Sequence, residues 1–142
     1  MQFKNEARVF FSAKSENESF ARLFAAGFLT QIDPTIAEMA EVKTAVSEAV
    51  TNAIIHGYEK KEGLVELFCG YTGNKIYIEV ADQGEGIPDI EQAREPLYTS
   101  KPEMERSGMG FTIMETFMEN VRIDSSIGGG TRIFMEKTLT KE

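Results

Sequence analysis

Residues 47–57 read Ser-Glu-Ala-Val-Thr-Asn-Ala-Ile-Ile-His-Gly. Around them apolar residues recur at Val42, Ala45, Val46, Ala49, Val50, Ala53 and Ile54, the i, i+3, i+4, i+7 spacing of an amphipathic helix with one buried face. At about 100° per residue, Glu48, Asn52 and His56 are expected to form one row along the edge of that stripe. A carboxylate, a carboxamide and an imidazole so stacked can converge on a ligand. The carboxamide oxygen is a hard donor suited to Mg²⁺, and the carboxylate can take a proton. Gly57 is expected to stop the helix as its C-terminal cap. Taken alone, a polar flank and a capping imidazole near the negative end of the helix dipole account for the same three residues.

Two glycine motifs tip the balance. Residues 76–81 alternate as a strand and deliver Asp82-Gln83-Gly84-Glu85-Gly86-Ile87-Pro88 at its end. Glycines there permit close backbone approach to a ligand, and an aspartate can accept a hydrogen bond from an exocyclic amine such as that of adenine. Ser107-Gly108-Met109-Gly110-Phe111 then precedes an apolar-periodic run over 111–118, a loop whose free N–H groups suit phosphate.

The ordered set Glu48-x-x-x-Asn52-x-x-x-His56-Gly57, Asp82-x-Gly84-x-Gly86-Ile87-Pro88, Gly108-x-Gly110-Phe111 and Gly130-Thr131 resembles the Bergerat (GHKL) ATP-binding family of gyrase, heat-shock, mismatch-repair and histidine-kinase proteins. The spellings of 48–58 and 99–115 are similar to its sporulation anti-sigma-F branch, whose members are serine-protein kinases. The resemblance covers nearly the whole chain. It implies ATP or ADP with Mg²⁺ as ligands, Asn52 as the metal ligand, Asp82 and Thr131 at the adenine, and glycine N–H groups at the phosphates. As partners it implies a sigma factor, an anti-anti-sigma protein phosphorylated on serine, and a second copy in a homodimer. It also places Arg22 near where partner proteins dock.

Composition bounds the alternatives. With 142 residues and 42% apolar content the chain suits one well-cored domain over 1–142. A formal charge of −8 without a basic cluster argues against nucleic acid and suits a basic protein partner. One cysteine, Cys69, excludes an internal disulfide framework, and the absence of a secretory or long apolar run points to a cytoplasmic chain with no membrane span. His56 is the only histidine and belongs to the nucleotide motif, and no P-loop occurs.

Along the chain, a first strand is expected over 7–13. A helix follows, opened by a Ser15–Glu18 capping box, with Phe20, Leu23, Phe24, Gly27 and Phe28 as its apolar stripe and Arg22 on the opposite face. Asp33 is expected to cap the central helix with Pro34 at its first position. Residues 64–70 and 75–81 read as a hairpin, and 121–126 and 131–139 as two further strands. The span 87–108, broken by Pro88, Pro96 and Pro102, reads as an ATP lid, with Thr99, Lys101, Arg106 and Ser107 facing phosphate.

The fold class expected is an α/β two-layer sandwich, a mostly antiparallel sheet covered on one face by three helices. Glu48 is the catalytic candidate, orienting or deprotonating an attacking hydroxyl. Gly84, Gly86, Ile87, Gly108, Met109, Gly110 and Phe111 complete the nucleotide set. The rival is a nucleotide-switched binding module without kinase activity, which has no need of Glu48. A metal hydrolase using Glu48 and His56 is short of ligands.

Overall fold

The computed structural model of the chain describes residues 2–57, 62–84 and 110–140, with residues 56 and 57 described by their backbone alone. In order these form strand β1 (Asn5–Ser12), helix α1 (Asn17–Leu29), a 3-10 turn (Thr30–Ile32), helix α2 (Ile36–Asn52) and a π-helical turn (Ala53–Gly57). Strands β2 (Leu64–Thr72) and β3 (Lys75–Asp82), helix α3 (Gly110–Phe117), and strands β4 (Glu119–Ser126) and β5 (Gly130–Thr138) follow. The strands make one sheet in the order β1-β2-β3-β5-β4, antiparallel at every pairing.

Period-two alternation sends Val65, Leu67 and Cys69, then Ile76, Ile78 and Val80, then Ile133 and Met135 into one core. There they meet Val42, Ala45, Val46, Ala49 and Val50 of α2 and Phe111 and Met114 of α3. The expected stripe of the central helix is thus the buried one. The opposite face of the sheet is closed by rings and charges. Phe3 packs on Phe68 and Tyr77, while the guanidinium groups of Arg8 and Arg122 each lie 4.8 Å over the rings of Phe68 and Phe134.

Three local expectations give way. Asp33 does not cap α2; it takes a left-handed φ of 54°, and Thr35 caps instead. The Thr35 hydroxyl accepts from the Glu38 N–H at 3.0 Å while the Glu38 carboxylate accepts from the Thr35 N–H at 2.9 Å. That reciprocal box satisfies two orphan donors where Asp33 could satisfy one. Nor does a Ser15–Glu18 box open α1: its N-terminus has no side-chain cap, and the Glu18 carboxylate turns to α2, where it accepts from the Ser47 hydroxyl. Finally, the α1 seam is Ala21, Ala25, Phe28 and Leu29, with Phe20 44% and Leu23 69% exposed. Small alanines let α1 approach α2 closely, so the larger side chains are displaced outward.

Candidate nucleotide site

Asp82 is the last residue of β3, on the same face as Ile76, Ile78 and Val80, and is only 4% exposed. Its carboxylate accepts from the Gly84 N–H at 2.9 Å and from the backbone N–H of Thr131. Burial pushes its pKa up, and the two N–H bonds only partly offset that rise. Thr131 sits opposite Asp82 in the β3–β5 ladder and opposite Ser125 in the β4–β5 ladder, so the three occupy one row across the sheet. The Ser125 hydroxyl lies 2.9 Å from that of Thr131 and 3.1 Å from the Gly130 carbonyl oxygen.

Gly130 has φ of 84°, and a methyl there would collide with the Asp82 carbonyl oxygen and come within 2.8 Å of the Gln83 Cα. Only glycine lets the β4–β5 turn rest on the end of β3. Asp82, Gln83, Ser125, Gly129, Gly130 and Thr131 line a cleft of about 550 Å³ there.

A second group gathers at the start of α3. Gly110 is its first residue, and a methyl on Gly110 would lie 3.4 Å from Glu48 Oε1. The half-buried Glu48 carboxylate is thus held beside the N-terminal side of the described α3, toward which the helix dipole turns its positive end. Asn52, half-buried, stands one turn beyond Glu48 as the last residue of α2. The π turn that follows packs against β3 and β5, and α2 itself packs against α3, so the end of α2 spans the two groups.

This turn also corrects the expected row. The chain leaves α geometry at Ala53, so Gly57 does not cap an α-helix, and the i+8 spacing that would align His56 with Glu48 and Asn52 no longer applies. A π turn widens the helix, a distortion common at functional sites.

Asp82, Gly84 and Thr131 come together, as do Glu48 and Gly110, with Phe111 buried behind them. Gly86, Ile87, Thr99, Lys101, Arg106, Ser107, Gly108, Met109 and the 87–108 span lie outside the described residues. Arg22 is half-exposed, with Nε 3.1 Å from Glu18 Oε2 but not aligned for a hydrogen bond, and one of its terminal nitrogens donates to Ser19 Oγ at 3.1 Å. Among the described residues, no three His, Cys, Asp or Glu side chains converge on a metal-sized site, and no helix is long and apolar enough to cross a membrane.

Residues 11–137 match the family model of the histidine kinase-like ATPase domain. The chain is 57% identical over 139 residues to the anti-sigma F factor of Bacillus subtilis, covering 97% of this chain and 95% of the relative. It is 54% identical over 137 residues to that of Clostridium kluyveri, covering 96% of each, and 56% identical over 134 residues to that of Clostridium acetobutylicum, covering 94% of each. The chain belongs to the anti-sigma F factor family. Among solved structures, the RsbU and RsbW domains of a Mycobacterium tuberculosis protein align with a TM-score of 0.67 at 19% identity, over 98% of this chain and 34% of that one. The catalytic domain of the histidine kinase ThkA aligns with a TM-score of 0.57 at 17% identity, over 96% and 99%. At such identities these two establish the fold alone, which is that of the GHKL ATPases.

The sequence reading had Gly130 in the Gly130-Thr131 motif but not the reason for it, which is that contact with β3 leaves no room for a side chain there. Ser125 is an ordinary serine at the end of a strand until the ladder sets it against Thr131.

Proposed function

We propose that the protein is a cytoplasmic, homodimeric anti-sigma factor of one domain. It sequesters a sigma factor and uses ATP to phosphorylate a serine of an anti-anti-sigma antagonist. The names of its relatives support the first half of this reading. The second half rests chiefly on one observation, the Glu48 carboxylate held against the bare backbone of Gly110. A nucleotide-driven switch needs Asp82, Asn52 and the glycines but has no use for a proton acceptor at that point.

The described residues suit an adenine nucleotide. Asp82 is a buried acceptor for an amine, and Gly110 opens a helix without a side chain to obstruct phosphate. Asn52 would hold Mg²⁺, which when bound offsets the charge of the phosphates. Residues 87–108 would be the lid, a role supported by the position of Asp82 and Gly110 just outside the two ends of that span. In the reaction, the acceptor serine oxygen bonds to the γ-phosphorus as the bond to the bridging oxygen of ADP breaks, and the hydroxyl proton passes to Glu48.

Incubation with γ-labelled ATP, Mg²⁺ and extract from sporulating cells tests this. A labelled seryl protein is expected; label appearing only as free phosphate would make the protein an ATPase, and no turnover would favour the switch.

A further inference from the structure

Lys137 stands opposite Ile76 in the β3–β5 ladder, so its side chain rises from the face of the sheet that the helices cover. There its ammonium makes two contacts. It donates to the carbonyl oxygen of Phe117, the last residue of α3, at 2.8 Å, and it pairs with Glu41 Oε1 of α2 at 2.9 Å. An ammonium at that point also meets the negative end of the α3 dipole. The Lys137 side chain is 14% exposed, so the tie is largely sheltered from water. One cation thereby joins β5, α2 and α3.

The contacts between α2 and α3 lie at matching intervals. Glu48, beside Gly110, follows Glu41 by two turns of α2, and Phe117 follows Gly110 by two turns of α3. Each interval rises on the order of 10 Å, so the helices run antiparallel and the tie at one end sets which residues face each other at the other. The apolar core that holds Ala45, Ala49 and Met114 does not set this alone. Apolar burial has no direction and methionine adapts to irregular gaps, whereas a hydrogen bond holds two atoms at one distance. We infer that Lys137 is a positioning residue for phosphoryl transfer: by tying the end of α3 to Glu41, it fixes where α3 rests along α2 and so the approach of Glu48 to Gly110. The inference rests on the reading of Glu48 as proton acceptor, and Lys137 acts through that carboxylate rather than on the nucleotide.

Transfer from γ-labelled ATP to the seryl protein purified from sporulating-cell extract, followed against ATP concentration, tests it. The variants are Lys137→Met, Glu41→Gln, Glu48→Gln and each of the first two combined with Glu48→Gln. Methionine keeps the stem and removes the ammonium, and glutamine keeps an acceptor for Lys137 and removes the charge. Lys137→Met should lower kcat about ten- to a hundredfold, the cost of misplacing a reacting group by on the order of 1 Å, with KM for ATP little changed. Glu41→Gln, at the more exposed end of the tie and at less risk of unfolding, should lower kcat by a smaller factor. In the Glu48→Gln background neither substitution should lower kcat further, because the group they position is gone. A tie that served stability alone would lower Tm and act equally in both backgrounds. An unchanged kcat in both single variants, or the same fold loss with and without the Glu48 carboxylate, would overturn the role of Lys137 and leave the kinase reading standing. Transfer by Glu48→Gln at the wild-type rate would overturn the reading of Glu48, and this inference with it.

Discussion

Asp82 answers to two opposed demands, because the burial that would sharpen a contact with the proposed ligand also penalises its charge in the free protein. Asp82→Asn is expected to weaken ADP binding by ~1–3 kcal/mol in calorimetry, since a charge-assisted hydrogen bond gives way to a weaker or mispaired one. The same variant should raise the ligand-free Tm at neutral pH. A carboxyl whose folded pKa lies above its unfolded value binds protons more tightly when folded, so stability declines as pH rises from the ordinary carboxylate range to the raised value. Wild type should show that decline and the Asn variant should lose it. Cys69, fully buried and with its thiol pushed up to about 12 by burial, is expected to resist alkylation at pH 8 until the protein unfolds, as mass spectrometry would record. The positions of Asp82 at the end of β3 and of Glu48 and Asn52 along the edge of α2 were legible in the sequence because residue type and spacing carry them. The pairing of Ser125 with Gly130 and Thr131 was not, since these residues lie close in sequence but meet only through strand pairing.

Helix α2 shows what an element adds. Its apolar stripe was legible because the 3.6 period is written in the residues, but its two ends were not. The start shifted to Thr35 because Glu38 serves two ends of the chain: beyond the Thr35 N–H, its other oxygen accepts from the Thr140 N–H at 2.6 Å and hydroxyl at 2.8 Å. No local rule contains a residue so far along the chain. Burial pushes the Glu38 carboxyl up, yet the bonds from Thr140 and Thr35 together hold it below the ordinary range. The stability from this carboxylate is therefore complete above the ordinary carboxylate range and is lost as pH falls through the lowered value. Glu38→Gln should lower Tm at neutral pH, with the gap to wild type closing in acid. The α1–α2 seam gives a second test. Ala25 is fully buried, and Ala25→Leu should cost about 1–3 kcal/mol in urea denaturation through overpacking, although it increases apolar content. The π turn after Asn52 had no local signal either; it belongs to the packing of that turn against β3 and β5.

At the scale of the molecule, the strand order explains why distant motifs meet. β5 inserts between β3 and β4, which lays the Gly130–Thr131 turn on the end of β3 and sets Asp82, Thr131 and Ser125 in one row. α2 runs from the Glu38 tie to Asn52 and holds Glu48 beside Gly110 of α3. An acidic, sheet-backed platform of this kind could serve either a switch or an enzyme, and Glu48 is the residue that separates them. The decisive measurement is phosphoryl transfer by Glu48→Gln, which keeps size, hydrogen bonding and helix propensity while removing the proton acceptor. Transfer should fall roughly 10²–10⁴-fold with ATP affinity little changed; a variant that phosphorylates its partner at the wild-type rate would contradict Glu48 as the base and leave the nucleotide as a switch.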